Sequence, residues 1–411
     1  MTAGFDASAR RRALIAATLG NMVTLTPAVA AVFGLFLLPL AETFGWPRAA
    51  ISGVLALISI GPALVSPFAG RLADRLGARI ILIVGTIGFA VSIALLSLTT
   101  HSLAQFYLTF ALVAVSAAFV STPLLAKVVS DWYDTHRGAA LGFAAGFGNG
   151  LGSTVIPIVA AAVMAAAGWR IAYLSVAACV LLIGLPTFVF VMRDAPRKGP
   201  AAQDNHREGV TLKEASRDRG FWLVVGAIAA AAGAATAIFS HVVPILAERG
   251  IGIAVATTVL ATFAMGTAAW QMLSGVILDR MPGPRIVVPM YLAVVPGILL
   301  LIWGEGTAIL VLAACLLAIG LGTQFSSLPY VLGRYFGLRH FGLIMGAAYS
   351  AVFVFQGIVP VILDHCFDVQ QTYTHALTAM AACLTVGGLL LLLLPKYRYG
   401  MDNVPAVVVH A

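Results

Sequence analysis

Apolar stretches of about twenty residues follow one another along nearly the whole of this 411-residue chain. Hydrophobic residues make up 61% of the sequence and charged residues only 10%, whereas soluble domains carry about 25% charged residues. A stretch of this length crosses the hydrocarbon core of a bilayer as a helix, and a helix satisfies its own backbone polar groups where water is absent. The sequence therefore predicts an all-α membrane protein embedded in a lipid bilayer and excludes a soluble domain.

Twelve such stretches can be delimited, six on each side of one polar segment. That segment, 193–220, predicts a cytoplasmic linker between an N-terminal six-helix bundle (1–192) and a C-terminal six-helix bundle (221–411). The predicted spans are 14–40, 49–68, 80–99, 103–128, 138–165, 169–192, 221–247, 253–276, 286–303, 307–331, 341–363 and 373–395.

The basic residues indicate how the chain is oriented. If the N-terminus is cytoplasmic, nearly all of the 24 Lys and Arg residues lie in cytoplasmic segments, as the positive-inside rule requires. We therefore expect a multi-pass protein of the plasma (inner) membrane with both termini in the cytoplasm. The net charge of +8 follows from this bias, so it predicts no nucleic-acid partner. The four cysteines lie mostly in apolar runs without paired spacing, and we expect no disulfide, metal site or cofactor.

A short polar motif occurs once in each half of the chain, after the second and the eighth predicted spans. It reads Gly70-Arg-Leu-Ala-Asp74-Arg75-Leu-Gly77-Ala-Arg79 and then Gly275-Val-Ile-Leu-Asp279-Arg280. A Gly-x-x-x-Gly pair likewise opens the fifth and the eleventh spans, at Gly138 and Gly342. Such small faces let membrane helices approach closely. The sequence therefore predicts two repeated six-span units of parallel topology.

On these residues the chain resembles the major facilitator superfamily, whose hallmark loop is the motif that begins at Gly70. The resemblance implies twelve helices in two pseudo-symmetric six-helix bundles and transport by alternating access. Asp74 can accept hydrogen bonds from the start of a helix in the opposite half, and Arg75 can pair with Asp131. The alternative is that these charges only fix the topology. The predicted gating residues are Gly70, Asp74, Arg75, Asp131, Gly275, Asp279 and Arg280.

A finer resemblance is to the branch of monocarboxylate transporters and oxalate–formate antiporters. It is carried by the segments 44–48, 133–146, 241–250 and 335–342, and it implies a monocarboxylate or related organic acid as the solute. One position departs from this branch, because Gln271 stands where carboxylate-moving members usually carry an arginine. Lys127 is the charged residue nearest the middle of a predicted span, so the expected buried counter-charge is missing. The alternative solute is an uncharged or amphipathic compound that the protein exports.

Few polar side chains lie within the predicted spans, and amides among them are costly in lipid. Each could simply bond two helices together, worth about 0.6 kcal/mol, or face a cavity. Histidine is the side chain that ordinarily changes charge near neutral pH, so His241 could carry a coupling proton or remain a neutral hydrogen-bonded side chain. The candidate substrate-binding residues are Asn21, Asn149, His241, Gln271, Gln324 and Gln356.

The leading functional prediction is a secondary active transporter of a small organic solute, working as a monomer. An enzyme is the competing class, but the sequence has no phosphate-binding loop and no catalytic constellation. The most crowded position is His365, between Asp364 and Asp368, which we expect in an external loop. A third class is a sensor built on a transport fold. Such a sensor would normally carry a soluble signalling domain, and the polar linker is too short to form one.

Overall fold

The computed structural model describes residues 7–133, 136–195, 209–280, 284–394 and 397. This part of the chain is almost entirely helical and contains no β-strand. Twelve segments of membrane-spanning character follow one another along it. They are α1 (Ala7–Phe44), α2 (Ala50–Leu76), α3 (Ala78–Leu98), α4 (Leu103–Trp132), α5 (137–167), α6 (169–191), α7 (Arg219–Glu248), α8 (Ala254–Arg280), α9 (Val287–Trp303), α10 (Thr307–Phe336), α11 (Phe341–Gln370) and α12 (Thr374–Leu391).

The division between α5 and α6 depends on one glycine. The two helices would form one continuous helix, Arg137–Val191, except at Gly168, where φ is 80° and ψ is 173°. This left-handed region is open to glycine at no steric cost, so the chain can turn back into the bilayer within a single residue. The helix α9 is shorter than the other spans. With these two features the twelve-span arrangement predicted from the sequence is confirmed.

The first span is not a regular helix. Regular α-helix covers Ala7–Asn21 and Phe33–Phe44, and a wider π-helical turn covers Thr26–Ala30. Proline at position 27 has no backbone N–H and cannot continue the regular pattern. This break falls beside Asn21, so the polar residues of α1 lie at the point where the helix changes direction.

The helices α1–α6 form an N-terminal half and α7–α12 a C-terminal half, with corresponding helices in corresponding places. Across the interface between the halves, α2 packs along α11 and α5 packs along α8. Because the spans alternate in direction, α2, α4, α6, α8 and α10 all finish at the same end of the molecule. We call this the latch end, and the other the far end.

The described part of the linker lies against the C-terminal half at the latch end. The Val210 N–H donates to the carbonyl of Phe336, the last residue of α10 (3.0 Å). A short helix, Leu212–Ala215, follows, and Thr211 and Glu214 cap it reciprocally. Backbone and side-chain hydrogen bonds from Thr211 lower the pKa of Glu214. This part of the predicted linker is therefore a docked structure, and residues 196–208 lie outside the described part.

Candidate gates and central polar layer

Asp74 stands near the end of α2 and reaches the start of α11 in the other half. Its carboxylate accepts hydrogen bonds from the backbone N–H groups of Gly342 (3.2 Å) and Leu343 (3.0 Å). The first N–H groups of a helix have no partner within it, and they carry the positive end of the helix dipole. A carboxylate therefore satisfies these donors and complements their charge. This is the type of contact that the sequence predicted for Asp74.

Asp279 makes the equivalent contact in the opposite direction. Its carboxylate accepts from the N–H groups of Gly138 (2.8 Å) and Ala139 (2.7 Å), at the start of α5. The two copies of the motif thus form a symmetric pair of contacts between the halves, which we call the Asp74 latch and the Asp279 latch. Both must break before the halves can separate at this end.

Glycines bring the helices of each latch close enough for these hydrogen bonds. A Cβ placed on Gly70 would overlap the backbone carbonyl of Gly342, and one placed on Gly275 would overlap that of Gly138. A side chain at either position would therefore push the two backbones apart. Close approach explains why glycine stands at this place in both copies of the motif.

A buried lysine joins only one of the two latches. The Nζ of Lys127 lies 3.2 Å from Oδ1 of Asp74 and 3.1 Å from Oδ2 of Asp131. The predicted pairing of Arg75 with Asp131 is therefore wrong: Arg75 is exposed, and Lys127 occupies the place beside this carboxylate. Two nearby carboxylates offset the cost of burying the lysine charge. Arg280, the counterpart of Arg75, is also exposed.

The helices α5 and α8 diverge from the latch end toward the far end. On α5, a Cβ would overlap the backbone of α8 at Gly142, would lie 2.9 Å from Met272 at Gly146, and would lie 3.9 Å from Ala268 at Gly150. Glycines at these positions follow one face of the helix, so the trend measures the distance between α5 and α8. This side of the interface is closed at the latch end and wider above it, whereas α2 and α11 still touch at Gly357, where a Cβ would lie 3.3 Å from Ser59.

The two asparagines of the N-terminal half belong to one polar group. Asn21 is buried, and its Oδ1 accepts from the Thr122 hydroxyl (2.8 Å). Asn149 is half-buried, and its Oδ1 accepts from the Thr24 hydroxyl (3.0 Å). The first pair connects α1 to α4 and the second connects α1 to α5. Asn21 therefore bonds helices within its half, whereas Asn149 is the more accessible of the two.

Gln271 lies on the face of α8 that meets the interface between the halves. Its backbone carbonyl faces Gly142 of α5, and its Cβ faces Gly146 of the same helix. Its backbone nitrogen faces Gly322 of α10. The side chain is only 4% exposed, yet its Nε2 has no hydrogen-bond partner among the described residues. Gln271 is thus placed between α5 and α10, with an unused donor.

The other two glutamines connect α10 and α11. The Nε2 of Gln356 donates a long hydrogen bond to Oε1 of Gln324 (3.4 Å). Gln324 is buried and also lines a small cavity within the C-terminal half, together with Tyr291 and Ser327. Gln356 is half-buried. The six candidate residues therefore do not form one cluster, and Asn149, Gln271 and Gln356 are the three nearest the interface between the halves.

His241 lies closer to the far end than the sequence suggested. It is two turns from the end of α7, and its Nε2 lies 2.7 Å from Oδ1 of Asp364 on α11. Asp364 is 57% exposed, so the pair sits at the rim of the molecule. The prediction that Asp364 belongs to an external loop is wrong, because α11 continues to Gln370. Asp364 lies beside His241 because it belongs to the last turns of α11 and not to a loop.

Sequence reasoning assigned no role to Lys127 and left Tyr349 out of the candidate site. Lys127 could have been found, because it precedes Asp131 by four residues and such pairs meet on a helix surface. Tyr349 is fully buried, and its hydroxyl has no hydrogen-bond partner among the described residues. Nothing in the local sequence distinguishes it from an ordinary core tyrosine.

Twelve spans, repeated halves and two reciprocal contacts between them define a multi-pass membrane protein built from two corresponding units. The family model described as Major Facilitator Superfamily matches residues 13–360. The chain therefore belongs to the Major Facilitator Superfamily.

Similar proteins agree with this assignment at the level of the fold. The chain is 29% identical over 196 residues to an uncharacterized MFS-type transporter, YcxA, of Bacillus subtilis, covering 47% of this chain and 45% of the relative. It is 31% identical over 143 residues to multidrug resistance protein 2 of Bacillus subtilis, covering 34% of each. The chain thus spans less than half the length of these curated relatives. The solved structure of the proton:xylose symporter XylE superposes with a TM-score of 0.72 at 15% identity, covering 95% of this chain and 97% of XylE.

Proposed function

We propose that this protein is a secondary active transporter that moves a small organic solute across the plasma (inner) membrane by alternating access. The latch end would face the cytoplasm, with both termini on that side, because the basic residues concentrate there. Gly70, Asp74, Gly275 and Asp279 would then act as the cytoplasmic gate. Since one chain supplies both halves, we propose that the monomer is the functional unit.

One observation carries this proposal: two aspartates reach from opposite halves to helix N-termini at one end, while α5 and α8 diverge above them. Contacts of this kind hold one end closed without filling the space between the halves. Each is a set of hydrogen bonds, not a continuous hydrophobic seal, so it can break and re-form. That is the requirement for rocking two halves about a site between them.

A monocarboxylate or related organic acid is one candidate solute, supported by the motif resemblance to that branch. An uncharged or amphipathic compound that is exported is the second candidate. It is favoured by Gln271, whose neutral amide stands between α5 and α10 where the branch usually carries an arginine. Export is also in keeping with the name of the relative multidrug resistance protein 2.

A coupling proton is a further part of the proposal, with His241 and Asp364 as its candidate carriers. Imidazole titrates near neutral pH, and the pair lies at the end through which the wider part of the interface would open. The adjacent Tyr373 and Glu248 are joined by a hydrogen bond from the Tyr373 N–H (3.0 Å) and complete this group.

Purified protein in proteoliposomes would test the transport function. We expect saturable uptake of at least one compound from a panel of radiolabelled monocarboxylates and uncharged aromatic amides, above the rate in empty liposomes. With proton coupling, an imposed pH gradient should drive accumulation, and His241→Gln should abolish the gradient dependence. Absence of saturable flux across the whole panel would contradict the proposal. A flux that is identical with and without the pH gradient would show that transport is not coupled to a proton.

A further inference from the structure

We propose that Arg137 is a further gating residue, which holds the latch end closed by placing its charge against the end of α10 in the opposite half. This inference rests on the proposed alternating access and adds a contact of opposite polarity to the two latches. It starts from one distance. Nη1 of Arg137, on α5, lies 3.1 Å from the place where a Cβ on Gly333 of α10 would stand. The guanidinium therefore crosses the interface between the halves.

The position of Arg137 is unfavourable within its own helix. It is the first residue of α5, where the backbone N–H groups form the positive end of the helix dipole and a cation is disfavoured. The side chain is nevertheless only 6% exposed, and burying a charge is costly unless negative or accepting groups face it. The start of α5 alone therefore does not explain an arginine at this position.

The opposite half supplies the negative groups that the start of α5 lacks. Gly333 belongs to the last turn of α10, which ends at Phe336, and the last carbonyls of a helix form the negative end of its dipole. Because Gly333 has no side chain, the guanidinium can lie directly against this turn. The Asp279 carboxylate, bonded to the N–H of the neighbouring Gly138, brings a further negative charge of the same half to this place.

One hydrogen bond orients the guanidinium toward α10. The Nε of Arg137 donates to the carbonyl of Tyr133, which directly follows α4 (2.7 Å). The guanidinium is planar and presents its donors in fixed directions, so one edge is held within the N-terminal half while Nη1 reaches the other half. The bond to Tyr133 can persist when the halves move apart, whereas the approach to Gly333 cannot. Only the second contact can favour the closed state over the open one.

The contact is not repeated at the Asp74 latch. At the corresponding place, the start of α11, stands Phe341, which is apolar and fully buried. The buried cation of that latch is Lys127, which belongs to the same half as the two carboxylates beside it. Opening therefore separates Arg137, but not Lys127, from negative groups that face it. The gate is asymmetric in this respect, although its two latches are equivalent.

Pulsed distance measurement between spin labels at Leu76→Cys and Arg285→Cys, both exposed, tests this in the full-length protein without its four native cysteines. Arg137→Gln removes the charge and keeps an amide donor. We expect it to raise the ratio of open to closed populations about tenfold, within the range for a charge at a partly buried helix end. Arg137→Lys keeps the charge and should fall between the parent and Arg137→Gln. Each variant is also made on the Asp279→Asn background, where the open population is larger.

Arg249→Gln is the matched control. Arg249 also places a guanidinium at a helix end, because it donates to the carbonyls of Leu301 and Gly304 at the end of α9 (2.6 Å each). This contact lies within the C-terminal half and at the far end. Its loss should lower the melting temperature and leave the label distances unchanged. A shift in Arg249→Gln equal to that in Arg137→Gln would overturn a specific role of Arg137.

Gly333→Val tests the contact from the opposite side, because its side chain would occupy the place of the guanidinium. It should shift the populations in the same direction, and the double variant with Arg137→Gln should shift them no further than the larger single change. A shift below threefold in Arg137→Gln, an equal shift in Arg137→Lys, or additive shifts in the double variant would each overturn the proposal. If Asp279→Asn still opens the latch end, the gate stands and only the role of Arg137 is wrong; if neither variant opens it, the proposed gate itself fails.

Discussion

The Asp279 latch offers the most direct test of gating, because no lysine of the described ranges pairs with its carboxylate to complicate the result. The variant Asp279→Asn keeps the size of the side chain but removes its charge and one acceptor oxygen. Hydrogen bonds to a charged group contribute about 1.5–3 kcal/mol each, and neutral ones about 0.5–1.5 kcal/mol. Two charge-assisted bonds, to Gly138 and Ala139, would be replaced by one neutral bond. We take about 2 kcal/mol as a conservative net loss after screening.

A loss of about 2 kcal/mol corresponds to roughly a 30-fold shift toward the state that is open at the latch end. Spin labels at Leu76→Cys and Arg285→Cys, both exposed, would report this population by pulsed distance measurement in a background without the four native cysteines. Asp218→Asn is the matched control, because Asp218 caps the start of α7 within its own half (2.7 Å to the Gly220 N–H). A shift below threefold in Asp279→Asn, or an equal shift in Asp218→Asn, would refute the latch.

Three further predictions concern single contacts. Gly275→Ala should hold the latch end open in the same distance measurement, since its Cβ would overlap the Gly138 carbonyl; Gly226→Ala, with open space around its Cβ, should leave the distances unchanged. Lys127→Met should lower the melting temperature by removing the cation that lies beside Asp74 and Asp131, and adding Asp131→Asn should restore part of the lost stability; a Lys127→Met variant as stable as the parent would contradict this. Because the pKa of Glu214 is lowered, the short helix Leu212–Ala215 should be protected from hydrogen exchange above the ordinary glutamate pKa and lose protection as the pH falls through the lowered value; Glu214→Gln should remove this pH dependence.

The fold could be read from the sequence because each span is long, apolar and bounded by polar residues. The break at Gly168 could also be predicted, because the short segment Gly168-Trp169-Arg170 separates two apolar runs. Boundaries were less secure where apolar character fades before the helix ends. The helix α11 shows this: hydrophobicity declines after 363, but the backbone hydrogen bonds continue to Gln370. The apolar solvent determines which residues lie within the hydrocarbon core. It does not determine at which residue a helix ends once the chain has left that core.

The site was less predictable, because its residues come together only through packing between helices. The motif pointed to Asp74 and Asp279, since a carboxylate at a helix end has few roles in a membrane protein. It could not show that Lys127, rather than Arg75, occupies the position beside Asp131. Nor could it show that the Asn21 amide is engaged by Thr122 and Ala17, while Gln271 Nε2 has no partner in the part of the chain that the structure describes. Whether a polar side chain binds its neighbours or remains available is a property of the packed structure.

The energy of the latches sets what a solute must supply in alternating access. Two latches of about 2 kcal/mol each would hold the latch end closed by several kcal/mol, which is the scale of shift a solute must supply to change the favoured state. A solute that bonds equally in both states shifts nothing. Gln271 faces Gly142 and Gly146 of the opposite half, so a ligand held beside it contacts surfaces whose spacing changes as the halves rock. We therefore expect the compound of the transport panel that binds most tightly to alter the label distances at Leu76 and Arg285, and a compound that binds without altering them would place its site within one half.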